Sequence, residues 1–155
     1  MAVDFGTFSL ERRFAVAPEV LWRLLIESEA RAAWGAPSDE DVLIVEESDV
    51  RPGGRDRHRC GPQDNPMYIV DTVWFRLSSP EVAAFTESVR VEEEYMTVSL
   101  VAYDLVADGD GTRLKVDVAV SSFVGPDGIG DHESGWTSAL ARLERLLPEL
   151  LAPAG

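Results

Sequence analysis

The last fifth of the chain constrains its fold more than any other stretch. Between Asp131 and Leu151, Trp136, Leu140, Leu143, Leu146, Leu147 and Leu150 recur at helical spacing, with Arg142, Glu144 and Arg145 between them. That periodicity predicts an amphipathic helix. About 18 helical residues would run ~27 Å. Just upstream, Leu114, Val116, Val118 and Val120 alternate with Lys115, Asp117, Ala119 and Ser121, the pattern of a strand with one buried and one wet face. Asp108-Gly109-Asp110-Gly111 is a strong hairpin signal. A long apolar stripe preceded by hairpin-linked strands must bury itself against them, so the sheet is expected to curl around the helix.

The remaining elements fit the same plan. Residues 7–16 read as a strand, with Phe8, Leu10 and Phe14 in one phase. Arg12 shares that phase, either at the sheet's edge or paired with a buried acid. Ala17-Pro18-Glu19 starts a helix, proline being tolerated at the first helical position and an acid suiting the positive end of the dipole. Val20, Leu21, Leu24 and Leu25 form its apolar stripe. A second short helix is predicted over Glu29 to Trp34, ended by Gly35 and Pro37. Further strands are expected at 41–48, 55–60, 67–77, 83–91 and 96–106, with turns at 51–54 and 61–66. No repeat or linker interrupts the 155 residues, which suit one domain. The expectation is an α+β fold with an antiparallel sheet of six to seven strands. Two short helices should plug one end, the long helix should close the concave face, and a ligand-sized cavity should remain between them.

Charge and cysteine content narrow the function. The formal charge is −14, which argues against nucleic acid and anionic membrane surfaces, since both need a basic footprint. The acidic clusters at 39–41, 46–47 and 92–94 read as solvated loops and strand ends. Cys60 is the single cysteine, so no internal disulfide forms and a reducing, cytoplasmic setting is expected. No signal peptide and no apolar run of membrane-spanning length is visible. There is no nucleophile elbow, phosphate-binding loop or zinc-ligand pair, so no metal and no cofactor are expected. The glycine-rich run at 125–130 reads as a loop able to gate the cavity.

Four stretches carry a family resemblance. Residues 14–22, Phe-Ala-Val-Ala-Pro-Glu-Val-Leu-Trp, are similar to an "F-x-A-P-x-x-V-W" helix start. Ala33-Trp34-Gly35 is similar to a "W-W-G-P" segment with one tryptophan fewer. Residues 49–55 are similar to a "D-x-R-x-G-G" turn. Gly111-Thr112-Arg113-Leu114, then Gly135-Trp136 and the leucine-rich helix, match a hairpin and terminal helix. In that order they resemble the SRPBCC (START-like, birch-pollen-allergen-like) superfamily, and within it the branch named after the activator of heat-shock protein 90 ATPase. The resemblance implies the helix-grip fold. The superfamily includes lipid and polyketide carriers, cyclases, hormone receptors and co-chaperone domains, so fold leaves function open.

Departures from the family point to the cavity. The strand after Gly53-Gly54 carries Asp56, His58 and Cys60 in the phase where bulky apolar residues are usual, with Arg55, Arg57 and Arg59 on the other face. Either the cavity holds an acid, an imidazole and a thiol ~6.5–7 Å apart, or the strand lies at a wet rim. Phe85, Glu87 and Val89 share a face of a later strand, and Val101, Tyr103 and Leu105 share one on the next. Glu87 is expected near His58 or Arg12, and His58 beside a carboxylate would suit a general base or a ligand anchor. Trp34, Tyr68, Trp74, Tyr103, Phe123 and Trp136 are candidate wall residues, with Trp136 placed to seal the mouth. His132 is expected to be exposed or near a helix cap.

Three functions compete. One is binding of a small, mostly hydrophobic molecule. Another is a cyclase- or hydrolase-like enzyme using Asp56, His58 and Glu87. The third is a co-chaperone-like module for a protein partner or a second copy. The predicted cavity favours the first.

Overall fold

A computed structural model describes residues 2–152 of the chain. Strand β1 (Asp4–Phe14) leads into helices α1 (Pro18–Ile26) and α2 (Ser28–Trp34). Strands β2 (Asp41–Glu47), β3 (Arg55–Pro62), β4 (Tyr68–Ser78), β5 (Val82–Val91), β6 (Glu94–Asp108) and β7 (Gly111–Ser122) follow, and α3 (Asp127–Leu150) closes the fold. All neighbouring strands are antiparallel, in the order β1-β7-β6-β5-β4-β3-β2. This is the helix-grip arrangement that the sequence predicts.

The order follows from the turns. β2 to β7 form a meander because each connection is short. Between β6 and β7, Asp108 pairs with Gly111 across a two-residue loop, and Gly109 takes a φ of 63° at its first position. Glycine there gives the loop a twist matching that of the strands. β1 sits beside the last strand, not the second, with Phe8 opposite Val118 and Leu10 opposite Val116. The α1–α2 connection therefore bridges the two opposite edges of the sheet.

The core fills the concave side. Val101, Tyr103 and Leu105 of β6 and Leu114, Val116, Val118 and Val120 of β7 are buried there, against Leu140, Leu143 and Leu147 of α3. Each such aliphatic side chain contributes about 1.5–3 kcal/mol when fully buried. Arg12, in the inward phase of edge strand β1, ends in a half-exposed ion pair with Glu144 of α3 at 2.8 Å.

The terminal helix starts earlier than its leucine spacing suggests. It runs 24 residues, roughly 36 Å, and the glycine run read as a gating loop is partly its first turn. The reason is packing: Gly128 lies against the Ser122 side chain, whose Oγ donates to the carbonyl of Gly125 at 2.7 Å. A side chain at position 128 would collide with that serine.

Two polar contacts hold the helices together. The Trp34 indole Nε1 donates to the carbonyl of Leu24 at 2.7 Å, locking α2 against α1. Arg142, buried on α3, donates to the carbonyls of Trp34 (3.0 Å) and Ala36 and to Asp39 Oδ1 (2.9 Å). It clamps the end of α2 to the middle of α3.

Candidate functional site

The long helix packs on the β1 and β7 half of the sheet and touches α2. The other half, β3 to β5, is left partly uncovered. A hollow of ≈ 480 Å³ opens there, within the range of small-molecule sites. Val70 and Val89 of the sheet, Trp34 of α2, and Trp136 and Ala139 of α3 form apolar walls. Met67 and Val124, both exposed, stand at the mouth.

β3 alternates cleanly. Asp56, His58 and Cys60 are buried, whereas Arg55, Arg57 and Arg59 face outward and pair with Glu47 (3.1 Å), Asp71 (2.7 Å) and Glu46 (3.1 Å). Those ion pairs explain how a strand with three arginines stays in the sheet: each reaches a carboxylate on the adjacent strand.

Of the residues singled out in the sequence, Trp34, His58, Cys60, Tyr68, Glu87 and Trp136 line the hollow. Asp56, Trp74, Phe85, Tyr103 and Phe123 lie elsewhere. Asp56 Oδ1 accepts the backbone N–H of Asp49 at 2.8 Å and ties down the turn before β3. Trp74, Phe85, Tyr103 and Trp136 form a continuous aromatic file, with ring centroids 5.0, 5.2 and 6.1 Å apart, so Trp74, Phe85 and Tyr103 are core. Phe123 is exposed near Tyr95 and Val98 on the outer surface. His132 is not a cap residue. It sits in the second turn of α3, its ring 6.3 Å from that of Phe8, and it lines the hollow. Gly135 of α3 faces Pro37 in the loop after α2, where a Cβ would sit in ordinary contact, 3.4 Å from the proline ring.

One residue escaped the sequence reading. Arg31 of α2 is 5% exposed and reaches into the hollow. It pairs with Glu87 at 3.4 Å, donates to Thr72 Oγ1 at 3.4 Å, and lies 5.6 Å from the ring centres of both Trp74 and Phe85. Glu87 thus meets Arg31, not Arg12 or His58. The available signal was spacing: Ser28, Arg31 and Trp34 fall at i, i+3 and i+6, one face of a helix, and all three are buried.

Two ionisable side chains on the sheet side of the hollow, His58 and Cys60, are held uncharged. His58 Nε2 hydrogen-bonds to Ser28 Oγ at 3.1 Å. Burial, reinforced by the positive charge of Arg31, pushes its pKa down to about 4, against the partial opposition of Asp56. The imidazole is therefore neutral at physiological pH. Burial likewise pushes the Cys60 thiol up to about 12, with Asp41 and Glu87 adding to it. Burial also raises the pKa of Tyr103. Asp56, His58 and Glu87 each bind a different partner: a backbone amide, a serine and an arginine. They do not form a shared acid–base unit. Among the described residues, no group of three or more His, Cys, Asp or Glu side chains could hold a metal ion, and no helix is long and apolar enough to cross a membrane.

A family model described as "Activator of Hsp90 ATPase homolog 1-like protein" matches residues 15–148. The chain belongs to that family. The fold of this activator of Hsp90 ATPase homolog 1-like chain recurs in solved structures. The Mll3558 protein from Rhizobium loti is 23% identical, covers 95% of this chain and all (100%) of its own, and superposes with a TM-score of 0.82. The AHSA1 protein from Silicibacter pomeroyi is 24% identical over 94% of this chain and 99% of its own, with a TM-score of 0.73. A protein from Arthrobacter aurescens solved by NMR is 17% identical over 99% of this chain and 93% of its own, with a TM-score of 0.78. No curated protein matches the sequence. At these identities the solved relatives show the shared helix-grip fold.

Proposed function

We propose that the chain binds a small, mostly apolar molecule in the hollow between α3 and the β3–β5 half of the sheet. One observation carries this reading. The helix covers only part of the concave face, and the side chains lining the remainder leave ≈ 480 Å³ unfilled. Interiors ordinarily pack to crystal-like density, and empty apolar space destabilises a fold. A hollow of this size, walled by Trp34, Val70, Val89 and Trp136 with a few polar groups among them, matches the composition of ligand sites. Membership of a cavity-bearing family supports the same reading. An enzymatic role has less support, because the candidate acid, base and carboxylate are each held by separate partners.

The test uses N-phenyl-1-naphthylamine, an uncharged probe that fluoresces in apolar surroundings. Saturable binding with one probe per chain, and a rise in melting temperature, are expected. Folded protein that shows neither response would overturn the proposal.

A further inference from the structure

The charges around the hollow bear on which ligands it admits. Among the described residues that line it, Arg31 is the sole arginine or lysine, while Asp41, Glu87 and Asp131 supply three carboxylates. Arg31 is already engaged. Glu87 holds it at 3.4 Å, with side-chain exposures of 6% and 12%, Thr72 takes a second donor, and the Trp74 and Phe85 rings lie beside it. An entering carboxylate or phosphate would have to share this guanidinium with Glu87, leaving two buried anions on one cation. At the mouth, Asp41 and the exposed Asp131 would repel it as well.

An uncharged oxygen meets the opposite situation. Thr97 Oγ1 and His132 Nε2 are both buried, both belong to residues lining the hollow, and neither has a hydrogen-bond partner among the described residues. Once a small side-chain shift opens either atom to the hollow, a hydroxyl or carbonyl can bond to it without bringing a charge out of water.

Building on the proposed cavity binding, we infer that the hollow admits uncharged apolar molecules bearing a hydroxyl or carbonyl oxygen and rejects anionic molecules with the same apolar body. A free fatty acid is thereby excluded as the preferred ligand, and the corresponding alcohol, aldehyde or ketone is favoured. The discrimination comes from Glu87, which occupies the one cation an acid would need.

The experiment is displacement of N-phenyl-1-naphthylamine by decan-1-ol and by decanoate, at neutral pH and below the micellar concentration. The two share one chain length and differ in head group. Decanol is expected to displace the probe, and decanoate to need a concentration on the order of tenfold higher or more. Equal or stronger displacement by decanoate would overturn the inference while leaving cavity binding intact. Failure of the probe itself to bind would overturn the cavity reading and the inference with it. Glu87→Gln should narrow the gap by strengthening decanoate and leaving decanol within about twofold. An unchanged gap in a folded variant would count against the role of Glu87. Should that variant not fold, the wild-type comparison of the two head groups still decides the inference.

Discussion

Replacing Arg142 by methionine isolates the clamp between α2 and α3. Methionine keeps most of the apolar stem, so packing changes little, but all the donors go. The carbonyls of Trp34 and Ala36 lose a buried partner. A buried acceptor left unsatisfied costs about 1–3 kcal/mol, so the two together cost roughly 4 kcal/mol. The Asp39 contact adds little, since that carboxylate is solvated. In a chain of this length 1 kcal/mol moves the melting temperature by about 2–4 °C, so Arg142→Met should lower it by roughly 8–16 °C. Urea unfolding should show a reduced midpoint with an unchanged slope. Arg145→Met is the control: Arg145 is exposed and pairs with the solvated Asp39 at 3.0 Å, so its midpoint should stay near wild type. Hydrogen bonds from Arg142, then Arg145, hold the Asp39 carboxyl below its ordinary value of 3.8. NMR should show that carboxyl returning toward 3.8 in Arg142→Met. If the two variants unfold at the same urea concentration, the clamp does not hold the helices and the reasoning fails.

Other outcomes follow from the hollow and its neighbours. His58 titrates at about 4 when folded against 6.5 when free, so its neutral form contributes stability that is complete above pH 6.5 and lost as pH falls from 6.5 toward 4. The loss should reach about 3 kcal/mol, and His58→Gln should remove that part of the slope in pH-dependent urea unfolding. With the Cys60 thiol pushed up to about 12 from 9.0, its thiolate at pH 8 is about a thousandfold scarcer than in the unfolded chain. A disulfide reagent should label it far more slowly in buffer than in urea, and equal rates would contradict its burial. Val70→Trp should fill the hollow, leaving the melting temperature equal or higher while abolishing probe fluorescence. Undiminished binding in that variant would place the probe elsewhere.

Much of the architecture is visible in local pattern. The alternation at 114–120, the Asp108–Gly111 hairpin and the leucine stripe of α3 each report a single element packed on one apolar surface, and such elements leave periodic traces. The shared phase of Asp56, His58 and Cys60 was readable for the same reason, but whether it faced the interior or a wet rim was not. Nor was what they touch, because partners come from strand register and from helices far away in sequence. Arg31 is the clearest case. An arginine on a short helix ordinarily faces water, and only the approach of Glu87 from β5 and the rings of Trp74 and Phe85 makes it an inward residue. Trp74 and Trp136 were both wall candidates, yet only the second borders open space, since the position of α3 over β1 and β7 decides which aromatic is covered. The start of α3 was hidden by Gly128 and Gly130, which argue for a loop until Ser122 is seen against Gly128.

The pairing of β1 with β7 has a consequence for biosynthesis. Among the described residues β1 finds its ladder partner in residues 111–122, so it stays unmatched until that segment has left the ribosome. Its apolar positions, Phe8, Leu10 and Phe14, are exposed to other nascent chains throughout that interval. Their contacts are among the most distant in the molecule, and closing so large a loop sets a slow pace for maturation.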